Sequence, residues 1–517
     1  MIRPEGGSLH AMRALAVAVA LAGCFNPDLG DTPFHCGQGG DCPPGYTCAN
    51  DDLCHKNGGV DAPISSVDAP RVPDAPRPDA RIIPLDAGVT CQPNTFQRCQ
   101  DVTTALFCDG SGMNLVAIGC EAGCDMSHMQ CNHCQPSTTL CSGDDLVTCS
   151  SSGMVTGVQH CAVGCDLGVT PNACFIVAPV GLEDVCRSAA SSDFTAAGDM
   201  TVDTDACSGG KTVSQDLGPG LCVFRFNNVL VPPGTSVRWS GSRVPVVVAT
   251  GTAELGGRLF VNGHAATAGP GAAGFNTGNG AASSDADGAG GGGHATKGGD
   301  GGPMMGADHV VPAGGPAYSA SDTKNLLPGG SGGAGGSAAG GGGGGALGLV
   351  ACGVLTLDAT AVLDAGGGGG PGGALVVTVT GGSGGGAGGT IRIDAAQVTY
   401  SAGAAIVANG GGGGGGNGVS AGNGAPGDDG HLDGTPAKGS AGAAGGGTGG
   451  NGGTSDGVTG ALPAQGAPNT LATGGAGGGG GAAGVILINT RPSASTVIPP
   501  GVIVSPAPKL GDVARGH

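Results

Sequence analysis

Across residues 229–505, short apolar segments such as Val244-Pro-Val-Val-Val-Ala-Thr-Gly and Gly389-Thr-Ile-Arg-Ile-Asp alternate with uninterrupted glycine, as at 340–345 and 410–416. Glycine has no side chain to bury and loses the most backbone freedom on ordering, so any core must come from the apolar segments. None of these can bury a face alone, but they recur. Val247-Val-Ala-Thr-Gly-Thr-Ala-Glu-Leu-Gly-Gly-Arg-Leu-Phe-Val-Asn-Gly can be set beside Val350-Ala-Cys-Gly-Val-Leu-Thr-Leu-Asp-Ala-Thr-Ala-Val-Leu-Asp-Ala-Gly. A third copy starts at Thr390-Ile-Arg-Ile-Asp, and a fourth, less regular, joins Val485-Ile-Leu-Ile-Asn-Thr to Val497-Ile-Pro-Pro-Gly-Val-Ile-Val. Each reads as two alternating strands joined by a turn, and stacked copies share one core of Val, Leu, Ile and Ala. The expectation is a mainly-β chain whose principal body, residues 229–510, is a parallel β-helix or solenoid with long glycine-rich inserts at 264–345, 366–389 and 410–484. A β-sandwich of the same strands would normally have far shorter connections. For the inserts two options stay open: flexible loops, or extended segments packed side by side through their amides.

Upstream, residues 14–22 form a compact apolar run after Arg13, ending Leu21-Ala22-Gly23-Cys24. A basic flank, a short hydrophobic stretch and small residues before a cleavage point describe a signal peptide, residues 1–23, whether the chain starts at Met1 or Met12. The ending resembles the bacterial lipobox, which implies lipid attachment at Cys24 and a membrane partner through that anchor. Phe25, rather than aspartate, follows it, so outer-membrane or cell-surface delivery is expected. No apolar run reaches about 18 residues, so no transmembrane helix is expected.

The other 20 of the 21 cysteines are an even number, as an oxidising compartment and full pairing require. Cys36, Cys42, Cys48 and Cys54 form a small module within 24–58, too short to hold itself without disulfides. Residues 59–90 carry the imperfect repeat Val60-Asp-Ala-Pro, Val67-Asp-Ala-Pro, Pro73-Asp-Ala-Pro, a proline-dense extended spacer. Two tandem modules follow. Residues 91–133 hold Cys91, Cys99, Cys108, Cys120, Cys124 and Cys131; residues 134–176 hold Cys134, Cys141, Cys149, Cys161, Cys165 and Cys174 in nearly the same spacing. Three disulfides are expected in each, with 15 pairings open. Cys131-Asn-His133-Cys134 looks like a metal cluster, yet its two cysteines belong to different modules, and no metal is expected. Residues 177–228 read as a cap for the body. Its Cys186, Cys207 and Cys222, with the distant Cys352, account for two more disulfides.

The layout from the lipobox to the glycine-rich body resembles glycine-rich, cysteine-rich surface lipoproteins of gliding, predatory soil bacteria. That resemblance implies an exposed adhesion or envelope role without assigned chemistry, with surface polysaccharide or neighbouring envelope proteins as partners. Charged residues are only 11% of the chain, against about 25% in an ordinary globular protein. With 20 Lys+Arg against 39 Asp+Glu, no basic patch exists to neutralise phosphates, so nucleic acid is not expected.

Catalytic motifs are weak. Ser331 and Ser383 sit in Gly-Gly-Ser-Gly-Gly, a match to a nucleophile elbow that glycine runs produce freely. The body offers scattered charges: Arg238, Arg243, Glu254, Arg258, Asp358, Asp364, Arg392 and Asp394. Asp358 and Asp394 follow strands at similar places in their coils, which would let them stack, but they read first as turn residues capping strand ends. Asp285, Asp287, Asp428 and Asp429 lack the glutamate that a calcium loop needs. No catalytic residue and no cofactor are expected. A carbohydrate-active β-helix enzyme, or a protein- or glycan-binding role for the cysteine repeats, is the alternative reading.

Overall fold

The computed structural model describes residues 90–514, with breaks at 128, 162, 284–285, 306–309, 320, 337, 375–378, 419–421, 456–461, 472–473 and 493–496, together with Phe34–His35, Tyr46–Cys48, Leu53–Lys56 and 82–85. Two compact units divide the chain, 1–80 and 81–517. In the first, Leu53–Lys56 lies between Phe34–His35 and Tyr46–Cys48 in an antiparallel sheet. Cys24, Cys36 and Cys42 lie outside the described residues.

In the second unit the described elements are strands, and many disulfides tie them. The apolar segments stack in parallel. One ladder runs through Leu221–Phe226, Val244–Ala249, the first half of Ala346–Leu357, Thr390–Tyr400, Val485–Thr490 and Lys509–Asp512. A second joins Phe194–Thr195, Val229–Val231, Ala253–Leu255 and the later halves of the two long strands. A third joins Met200–Asp203, Ser236–Ser240, Arg258–Phe260, Val362–Asp364, Ala405–Val407 and Ile503–Ser505. The parallel layers therefore begin at Phe194, inside the segment read as a cap.

Register puts like on like. Val247, Leu349, Ile393 and Ile488 stand one above another on the first ladder. Leu259, Leu363 and Ile406 do so on the third, and all three are at most 2% exposed. Burying each such aliphatic side chain stabilises by about 1.5–3 kcal/mol, which makes these columns the source of the core. Alternation along Leu221–Phe226 sends Cys222 and Phe224 into that core and Leu221 and Val223 to the opposite face. That outer face is also covered, by Phe175, Val177 and Leu182 from the chain before the layers and by Leu326 from the first insert.

Each insert leaves after a strand of the third ladder and returns to open a strand of the first: Phe260 to Ala346, Asp364 to Thr390, Val407 to Val485. The described glycine segments are extended, largely buried and bonded to one another. Around 410–416 the partners repeat every third residue. Gly410, Gly413 and Gly416 donate to the carbonyls of Gly453, Gly450 and Gly447; Gly411 and Gly414 to Gly386 and Ser383; Gly412 and Gly415 to Asp428 and Ala425, all at 2.8–3.0 Å. Three residues per turn without internal hydrogen bonds is the geometry of the polyproline II helix, whose amides must find partners elsewhere. A Cβ on these same glycines would meet backbone of three further segments, at Gly481 and Gly478, at Gly368 and Pro371, and at Lys438 and Ala441. The 410–416 segment thus has six neighbours, and glycine is what lets them approach. Of the two options for the inserts, close packing is the one found in these segments.

Candidate functional site

The two cysteine modules adopt one pairing. Cys91–Cys108, Cys99–Cys124 and Cys120–Cys131 in the first are repeated by Cys134–Cys149, Cys141–Cys165 and Cys161–Cys174 in the second. Cys131 and Cys134 are consumed by different modules, which leaves His133 without a thiolate neighbour to form a metal cluster. Cys207–Cys222 closes the first layers, and Cys186–Cys352 ties the chain before the layers to the long strand Ala346–Leu357.

The charges of the body do not converge. Asp394 lies mid-strand opposite Val350, whereas Asp358 follows its strand in a turn, where its backbone carbonyl accepts the Ala361 amide at 2.9 Å. The two are therefore not stacked, and Asp394 is not a turn residue. Its carboxylate takes Arg392 Nε at 2.6 Å and Asn489 Nδ2 at 2.8 Å, and both members of the ion pair are 4% exposed. Arg392 also donates to the Lys324 carbonyl at 2.8 Å and the Val180 carbonyl at 3.1 Å. The pair is a buried strut between the first ladder, the first insert and the chain before the layers. Arg238 stacks on Phe260 at 4.7 Å, and Arg243 is held by the Asp205 carbonyl at 2.6 Å.

Asp364 ends its strand almost fully buried, accepting the Gly366 amide at 2.8 Å. Burial, with the nearby Asp429 adding to it against the pull of Gly366 and Arg238, pushes its carboxyl up to about 7. Asp429 pins the glycine segments: it takes His264 and the amides of Ala265 at 2.9 Å and Gly369 at 2.7 Å. Ser383 accepts the Gly335 amide at 3.1 Å and Ser331 the Gly343 amide at 3.3 Å, so both elbow look-alikes serve packing. His294, fully buried, bonds the Leu327 carbonyl and Ser319, each at 3.0 Å, and desolvation lowers its pKa to about 4. Asp287 is buried and accepts the Met304 amide. Among the described residues no group of three or more His, Cys, Asp or Glu is placed to hold a metal ion, and no helix is long and apolar enough to cross a membrane.

One feature escapes motif reading. Between the first layers lies an apolar cavity of about 340 Å³, lined by Phe194, Phe224, Phe226, Val237, Trp239 and Leu259 among others. Its volume falls in the small-ligand range, about 300–1,000 Å³. The only advance signal is compositional: the single tryptophan and three of ten phenylalanines cluster within residues 194–239 of an aromatic-poor chain.

Compared with protein-family models, curated proteins and solved structures, the chain matches none.

Proposed function

We propose that this chain is an exported, lipid-anchored protein of the outer membrane or cell surface, which displays a stiff glycine-rich body in an adhesive or structural role. In this reading the stacked layers are a parallel β-solenoid, and the glycine segments form a bundle built out from one of its corners. The observation that carries the proposal is the packing of those segments, whose carbonyls and amides are joined in three directions along 410–416. A body held by backbone bonds in several directions resists bending as a flexible loop does not. The order of the remaining parts supports display: lipobox at Cys24, four-cysteine module, proline-dense spacer, then two disulfide modules. Eight disulfides in the second unit accord with an oxidising compartment. The body's strand-borne acid Asp394 is committed to Arg392, which favours scaffold over carbohydrate chemistry at that position.

The test is metabolic labelling with a lipid precursor combined with protease shaving of intact cells. The wild-type chain is expected to carry label and to be shaved, and Cys24→Ser to lose the label. An unlabelled chain that protease cannot reach would sink the reading.

A further inference from the structure

The two cysteine modules share pairing and spacing, but their sheets end differently. In the first, the strand Asn114–Gly119 is flanked by Thr104–Cys108 on one side and on the other by Ile82–Pro84, an antiparallel addition from the end of the spacer. In the second, the equivalent strand Val155–His160 pairs with Asp145–Cys149 alone, and among the described residues no strand covers its outer edge. Exposure follows the cover. Leu115 is buried and Val116 half-buried where Ile82–Pro84 lies, whereas every residue of Val155–His160 is exposed, Val158 by 62%.

The backbone of that edge is ready to pair. The Cys161 amide donates inward to the Asp144 carbonyl at 2.8 Å, so alternation turns the amides and carbonyls of Val158 and His160 outward. An exposed apolar edge with free backbone groups is a template for another strand. A bulge at Thr148/Cys149 interrupts the near end of the ladder and leaves Gly157 to His160 regular. The room is therefore for a short strand, about two residues further along than the addition in the first module. Ile82–Pro84 is itself only 3 residues long.

We infer that Val155–His160 is a strand-addition site for an extended segment of a partner protein. The segment's chemistry is that of Ile82-Ile83-Pro84: two adjacent β-branched residues, which favour the extended state, followed by a proline, which an edge strand accepts. The first module shows such a segment on the duplicate edge, and among the described residues the second keeps the edge without the segment.

The probe is a labelled synthetic peptide spanning residues 80–86, titrated onto the full chain and followed by anisotropy, with amide hydrogen exchange at Val158 read in parallel. Saturable binding is expected, with slowed exchange at Val158 and at least tenfold weaker binding in Val158→Pro, a change that an edge position tolerates. A peptide methylated at the Ile83 amide is expected to bind at least tenfold more weakly to the unaltered protein, which keeps the test decisive if the variant misfolds. Three results would overturn the inference: no binding at millimolar peptide, binding that leaves Val158 exchange unchanged, or a Val158 amide already protected in the free protein.

Discussion

Replacing Gly413 with alanine tests whether the glycine segments are truly close-packed. Its Cβ would come closer than 3.0 Å to the carbonyl of Gly478, a distance that real Cβ atoms essentially never show. That carbonyl accepts the Gly450 amide at 2.8 Å, while Gly413 donates to Gly450 and Gly478 to Gly414, at 2.8 and 2.9 Å. Relief requires the segments to part by ~1 Å, beyond hydrogen-bond range for all three contacts. Three lost bonds cost about 1 kcal/mol each and overpacking about 1–3 kcal/mol. Lower entropy of the unfolded chain offsets about 0.4–1 kcal/mol, leaving a net loss of about 3–6 kcal/mol. For residues 81–517 the unfolding entropy is roughly 0.9 kcal/mol/K, so the thermal midpoint is expected to fall by about 3–6 °C, with faster amide exchange in the neighbouring segments. Gly434 is the control: exposed, with nothing within 4 Å of an added Cβ, it is expected to accept alanine with no loss. Equal melting of Gly413→Ala and Gly434→Ala would refute close packing at Gly413.

Disulfide loss is expected to scale with the loop closed: removing Cys186–Cys352, with separation 166, costs about 5 kcal/mol on the chain-entropy model, and Cys207–Cys222, with separation 15, about 3 kcal/mol. Denaturant midpoints of the paired Cys→Ala variants would check the order, and equal losses would refute it. Asp364 has a folded pKa raised to about 7, so its contribution is fully present below the ordinary carboxylate value of 3.8 and is lost as pH rises through 7. Asp364→Asn is therefore expected to match wild type in thermal stability near pH 4 and to exceed it near pH 8; a gain confined to acid pH would contradict the assignment. His294 works in the opposite sense, its stabilisation present above 6.5 and lost as pH falls toward 4, so the Asp364 effect is best read as a difference between variant and wild type.

Much of the layer structure was legible because strands declare themselves through side chains. The three glycine inserts were expected at 264–345, 366–389 and 410–484, and the flanking strands end and begin within a few residues of those limits. The cysteine repeat was equally plain, although its pairing was not, since spacing is compatible with many connections. The state of the inserts was hidden for a physical reason. Their period of three is carried by backbone amides, and a run of identical residues prints no pattern of its own. Asp394 was misplaced because Thr-Ile-Arg-Ile-Asp alternates as a strand with one wet face should. That face is instead roofed by segments distant in sequence, contributing the carbonyls of Val180 and Lys324, which alternation cannot reveal. The cavity and the bare edge of Val155–His160 were invisible for the same reason: both depend on which distant segment is or is not present.

Layers and glycine segments depend on each other for their order. A long glycine insert pays heavily in backbone entropy, and glycine offers no apolar surface to offset it. The stack supplies what the insert lacks, because it delivers both ends of every excursion at fixed places. The ladders run on into the glycine segments without a break: Ala365 donates to the Val407 carbonyl at 2.9 Å, Gly389 to Ala365 at 2.7 Å and Val485 to Gly389 at 3.0 Å. Each departing segment therefore starts beside its neighbours, so the first bonds form with little further loss of freedom and later ones extend them. In return the inserts roof the first ladder, through Leu326 on its outer face and the Lys324 carbonyl that completes the shell of Arg392. Without that roof a buried guanidinium would lose a partner, which is costly in a low-dielectric site. The glycine is thus part of what keeps the layers closed.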